Sequence, residues 1–146
     1  MTATRSSKAN KHYKHHQAHI EPPSKICVFC ALKPGDKQVL RQTKHFKIVQ
    51  NIFPYTLWDS QTVDDHLTIS PIKHTDTLSD LSEKAAKEFV DLIGEYESNG
   101  YSVYARAPGS ITKSITHQHT HLIKLSGHKV RFLMYLKRPY KRFVVR

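Results

Sequence analysis

Apolar and polar residues alternate along several short stretches of the chain. Phe46-Lys47-Ile48-Val49-Gln50-Asn51-Ile52 reads as a strand, stopped by Pro54. His66-Leu67-Thr68-Ile69-Ser70 reads as a second, with Pro71 at its end. Tyr101 to Ala105 is a third, broken by Ala107-Pro108-Gly109-Ser110. A strand over Lys113 to Lys124 follows, and Ser126-Gly127 reads as a turn into a last antiparallel strand over Val130 to Leu136. Between the second and third strands the period changes. Leu81, Ala85, Phe89, Leu92, Ile93 and Tyr96 recur at three and four residues and predict one apolar helix face. Ser82 suits its N-cap, Glu83 its positive first turn, and Asn99-Gly100 its stop. This order predicts an α+β fold, an antiparallel sheet with one main helix packed on it.

Composition adds two segments to that picture. Residues 1–24 are rich in Lys, His, Ser and Asn, lack apolar periodicity and close on Pro22-Pro23. They predict a basic, His-rich tail, disordered in solution, ahead of a single domain over 25–146. From Lys124 onward the chain carries basic residues and no acid. The formal net charge of +11 excludes nothing anionic as a partner: nucleotides, nucleic acids and anionic surfaces all suit it. The first 24 residues lack the apolar run of a signal peptide, and no stretch approaches the ~20 apolar residues of a membrane span. The expectation is a cytoplasmic protein with no membrane partner.

Chemistry concentrates in His117-Gln118-His119-Thr120-His121. Read as a flat strand, the three imidazoles share one face, about 7 Å apart, with His117 and His121 about 13 Å apart. One ion cannot hold all three across that span. Two thiols stand at Cys27-Val28-Phe29-Cys30 and another imidazole at His74. Cys27, Cys30, His74 and His117 together offer two sulfurs and two nitrogens, the donor set of a tetrahedral zinc. A pair of partly buried thiols is the plain alternative. A redox pair fits less well, since no βαβ context surrounds it. With His117 on a metal, His119 is left beside it as a nucleophile for an electrophilic phosphorus. His121 is one candidate to fix its tautomer. Arg106, Lys113 and Ser114 lie just upstream, where they suit phosphate oxygens or simply the solvated surface.

Taken in order, Cys27-x-x-Cys30, Asn51-Ile52-Phe53-Pro54, His66-Leu67-Thr68-Ile69-Ser70-Pro71-Ile72-Lys73-His74, the helix and His117-x-His119-x-His121-Leu122-Ile123 resemble the histidine triad (HIT) superfamily of nucleotide hydrolases and transferases, in its zinc-containing branch. The resemblance runs from about residue 26 to 124. It implies attack by His119 on the α-phosphorus of a purine nucleotide and a covalent nucleotidyl-histidine, as in phosphoramidases, dinucleoside polyphosphate hydrolases and nucleotidyl transferases. It implies Asn51 near the ribose, Ile52 at the base, Ser114 at the phosphate and His121 in support. It also implies one structural zinc per chain on Cys27, Cys30, His74 and His117, and a homodimer. The chain departs from the family at Gln118 and Thr120, where apolar residues are usual, and at Arg106, where an amide is usual. Those departures motivate the alternative of a nucleotide- or nucleic-acid-binding module with a degenerate site. Weak nucleic-acid binding through the basic termini is a further expectation. No motif of the family lies in residues 1–24, so their removal is expected to leave turnover within a few-fold.

Overall fold

The computed structural model describes residue 5 and residues 7–19, 27–130, 132–136 and 141–145, the last two as backbone. Val39–Gln42 (β1), Phe46–Gln50 (β2), Leu57–Trp58 (β3), Gln61–Pro71 (β4), Tyr101–Ala105 (β5) and Thr120–Lys129 (β6) form one antiparallel sheet. Its order is β1-β2-β4-β6-β5, with β3 paired to β4. The α+β expectation therefore holds. Register explains the two faces. Ile48 lies opposite Ile69, and Leu67 opposite Leu122. Period two then sends Phe46, Ile48, Leu67, Ile69 and Leu122 to one face, where all are buried. The helix Glu83–Ser98 (α3) covers that face through Ala85 and Leu92, with Phe89, Ile93 and Tyr96 packed beside them. Ser82 Oγ accepts the Ala85 N–H at 3.3 Å, and Gly100, at φ +82°, ends the helix. The opposite parity puts His66, Thr68 and Ser70 of β4, Lys47 of β2 and His121 of β6 on the other face. They are buried too, although none is apolar.

Four details differ from the sequence reading. β6 starts at Thr120 and not at Lys113, because Gln118 N–H donates to the Thr75 carbonyl at 2.6 Å and draws the chain off the sheet. β6 also runs through Ser126-Gly127 to Lys129, since the early, polar half of β4 pairs with it: Asp65 faces Lys124 and Val63 faces Leu125. Phe132–Leu136 (β7) consequently pairs not with the main sheet but with Lys141–Val145 (β8), in a second, two-stranded sheet. Ser7–His19 forms a helix (α1) where a disordered arm was expected. Lys, Ala and Gln favour a helix, and no Gly or Pro interrupts them. The boundary expected at 24/25 lies outside the described residues. No helix among those described is long and apolar enough to cross a membrane.

Candidate functional site

The short helix Val28–Ala31 (α2) carries Cys30, with Cys27 at its N-cap. The turn after β4 carries His74, and the segment before β6 carries His117. These three segments converge. One ligand atom from each of Cys27, Cys30, His74 and His117 lies within 4.8 Å of all the others. Cys27 Sγ is 3.3 Å from His117 Nδ1, and Cys30 Sγ is 3.4 Å from His74 Nδ1 and 3.5 Å from His117 Nδ1. Zn–S bonds of about 2.3 Å and Zn–N bonds of about 2.0–2.1 Å at a tetrahedral angle put sulfur and nitrogen about 3.6 Å apart. The donors thus already stand near zinc spacing. Their outer nitrogens are satisfied as metal-bound histidines require. His117 Nε2–H donates to the Pro71 carbonyl at 3.0 Å, and His74 Nε2 lies 3.4 Å from Asp76 Oδ1. Desolvation, with Cys27 close by, pushes the Cys30 thiol up. Buried Lys47 fixes the clasp from below: its Nζ donates to the Phe29 carbonyl at 3.2 Å and to that of Leu32.

The other two triad histidines stand apart from this four-donor cluster. His119 folds its Nδ1–H back onto the His117 carbonyl at 2.8 Å. Its Nε2 therefore keeps the lone pair. His121 is oriented across the sheet. It lies opposite Thr68, one diagonal step from His66. Tyr55 N–H donates to His66 Nδ1 at 3.1 Å, which leaves the His66 proton on Nε2. His66 Nε2–H then donates to His121 Nδ1 at 3.0 Å, which places the His121 proton on its own Nε2. Backbone groups so assign one acceptor nitrogen to His119 and one donor nitrogen to His121, with ring centres 5.2 Å apart. All three rings are held neutral. Burial lowers His66 to about 4 and His121 to about 2, with their mutual proximity adding to the effect on His121. Burial also lowers His119, with Lys113 and Arg106 adding positive charge nearby.

His119 and His121 open on a cavity of about 380 Å³. Asn51, Ile52 and Ser114 line it as well, so five of the residues singled out from the sequence meet there. Asn51 Oδ1 accepts the Phe53 N–H at 2.9 Å, and its Nδ2 donates to Thr68 Oγ1 at 3.3 Å and lies 3.4 Å from His66 Nε2. Arg106 and Lys113 stand outside the lining. Arg106 donates to Tyr55 Oη at 3.0 Å, and Lys113 Nζ to the Asp76 carbonyl at 3.0 Å.

The flat-strand picture of the triad needs correction. Only His121 lies in β6, because the ladder stops at Thr120. The chain turns at Gln118 and carries His117 toward the cysteines, apart from His119 and His121. Sequence reasoning also gave no role to His66, Tyr55 or Lys47. The signal for His66 was present in His66, Thr68 and Ser70, polar at every second position of a strand whose other face is apolar.

No protein-family model and no curated protein matches the chain. Solved structures do. A HIT family hydrolase from Legionella pneumophila Philadelphia 1 is 21% identical, and the likeness covers 71% of this chain and 95% of that one at a TM-score of 0.51. A Zn-bound histidine triad family protein from Mycobacterium smegmatis is 20% identical over 70% of this chain and 78% of that one, at 0.50. The diadenosine triphosphate hydrolase of Plasmodium falciparum, solved with cyclomarin A, is 14% identical over 86% of each chain, at 0.51. Identities this low speak for architecture. On that ground the chain has the fold of the histidine triad (HIT) superfamily.

Proposed function

We propose that the chain is a nucleotide hydrolase or nucleotidyl transferase that works through a covalent nucleotidyl-His119. One observation carries this reading: His119 Nε2 holds a lone pair at the wall of a cavity, beside a donor on His121, and backbone groups set both tautomers. Nε2 attacks the α-phosphorus of a purine nucleotide. A P–N bond forms as the bond from phosphorus to the leaving group breaks, and the leaving group departs with its electron pair. His121 Nε2–H donates to a phosphate oxygen. Water or another acceptor then attacks the phosphorus, its proton is released, and the P–N bond breaks. Asn51 is suited to the ribose, Ile52 to the base and Ser114 to the phosphate. Arg106 and Lys113, outside the cavity lining but close enough for their charge to act on His119, are suited to a phosphate tail that extends beyond the cavity. Cys27, Cys30, His74 and His117 hold one zinc, which acts as a clasp between α2 and the two loops and takes no part in the chemistry. Free Cys27 and Cys30 suit a reducing cytoplasm.

The test is intact-mass spectrometry after brief incubation with adenosine and guanosine phosphoramidates and with dinucleoside polyphosphates. A nucleoside monophosphate adduct on the wild type, absent from His119→Ala, is the expected result. Wild-type turnover in His119→Ala would end this mechanism.

A further inference from the structure

The helix α1 reaches the cavity that holds His119. Arg5 and Tyr13 both line it, together with Asn51, Phe53 and His121. Three contacts, among others, hold Arg5 there. Its Nε–H donates to the Phe53 carbonyl at 2.9 Å, and its guanidinium lies 4.4 Å from the centre of the Tyr13 ring and 4.9 Å from that of Tyr55. Tyr13 meets Phe53 edge-on, with ring centres 5.3 Å apart. Tyr55 in turn stacks on His66 at 4.7 Å and lies 5.8 Å from the His121 ring. The guanidinium therefore lies between the Tyr13–Phe53 pair and Tyr55, whose ring packs on His66 and His121.

The electrostatics of this wall call for an anion. Among the described residues lining the cavity, Arg5 is a cation and none is a carboxylate. The same guanidinium lowers the proton affinity of His66 and His121, after burial has done most of that work. A phosphate in the cavity meets in this guanidinium a donor for a charge-assisted hydrogen bond. The rings of Tyr13 and Phe53, set edge-on to each other, offer aromatic surface of the kind on which nucleobases pack.

We propose that the N-terminal segment is a wall of the nucleotide site, with Arg5 facing the phosphates of the bound nucleotide and Tyr13, with Phe53, packing on its base. This rests on the nucleotide reading of the cavity. It reverses the expectation that residues 1–24 are dispensable. A chain beginning at residue 25 keeps His119 and the four metal-ligand candidates but lacks this wall, so it retains the nucleophile and loses affinity.

The experiment uses the full chain and titrates AMP, GMP, adenosine and guanosine into the wild type, Arg5→Gln, Arg5→Lys and Tyr13→Ala. Wild-type binding is measured first; if no nucleotide binds, the functional reading itself falls. Given wild-type binding, Arg5→Gln is expected to weaken the monophosphates about tenfold, the low end for a charge-assisted hydrogen bond, and to leave the nucleosides within about twofold. Arg5→Lys should recover part of that loss, and Tyr13→Ala should weaken nucleoside and nucleotide alike. If Arg5 only docks α1 on the Phe53 carbonyl, Arg5→Gln will bind all four compounds as the wild type does. That result overturns the proposal. So does tighter binding in Arg5→Gln or Tyr13→Ala, which would mark the segment as an obstruction. Equal losses on nucleosides and monophosphates in Arg5→Gln, or no recovery in Arg5→Lys, would likewise remove the phosphate role.

Discussion

His119 and His121 carry the same side chain two residues apart, yet one presents a lone pair and the other a proton. The difference lies in their partners, the His117 carbonyl for one and the His66 ring for the other. In the proposed mechanism His66 is thus a positioning residue. His66→Leu should cut kcat by roughly a hundredfold with nucleotide affinity little changed, as misplacement of an aligned group does. Equal losses in kcat and affinity would mean that His66 only supports the pocket. His66 also predicts a pH dependence of stability. Its pKa is about 4 in the folded chain, against about 6.5 for a free imidazole. Between these values the unfolded state binds more protons, so its contribution is full above pH 6.5 and is lost as pH falls toward 4. The loss amounts to about 3 kcal/mol. Urea unfolding between pH 7.5 and 4.5 should show it, with a shallower slope in His66→Leu; identical slopes would refute the assignment. Lys113→Gln should lower kcat/KM for dinucleoside polyphosphates by about tenfold or more, and less for a phosphoramidate. Equal effects on both would return Lys113 to its bond with Asp76.

At the scale of elements, three segments with little regular structure are held where they meet. α2 is four residues long, and neither the turn after β4 nor the segment before β6 belongs to a strand at its ligand. Segments of this kind gain most from a cross-link. The expected content is one zinc per chain by metal analysis. Cys27→Ser should lose it, with a fall of at least about 5 °C in Tm for a domain of this size. Metal-free protein with an unchanged Tm after chelation would count against the clasp. Lys47→Ala should destabilise by about 1.5–3 kcal/mol, because the Phe29 and Leu32 carbonyls lose a charged donor. Zinc affinity should fall with it, since α2 would no longer be pinned beneath the cysteines.

For the whole molecule, strand order leaves β5 at an edge of the main sheet, with Val103 exposed on it. An open edge strand pairs readily with another chain. We expect a homodimer through β5, with a mass by light scattering of twice the 16.9 kDa of one chain. Val103→Lys should shift it to the monomer. A wild type that is monomeric at tens of micromolar would dismiss the interface.

Local physics made much of this protein readable from its residues. The 3.6-residue period of Leu81 to Tyr96, capped at Ser82 and stopped at Gly100, marked α3. The apolar-polar alternation of β2 and of the second half of β4 marked two central strands. Donor chemistry marked Cys27, Cys30, His74 and His117 as a quartet, which the fold brings together, and H-x-H-x-H marked the candidate nucleophile His119. Each of these depends on neighbours within a few residues, or on ligand types that a metal selects. What the tertiary structure decided depends on neighbours far apart in the chain. The polar residues Gln61 to Asp65 extend β4 because β6 lies beside them. Lys47 is buried because two carbonyls, of Phe29 in α2 and of Leu32 at its C-cap, meet its ammonium. The tautomer of His121 is set 55 residues away, at His66. Residues 1–24 read as a solvated tail since charge without apolar period carries no sign of burial. Arg5 and Tyr13 reach the cavity because cation–aromatic and aromatic–aromatic contacts with Phe53 and Tyr55 need only single side chains, and single side chains leave no period in a sequence.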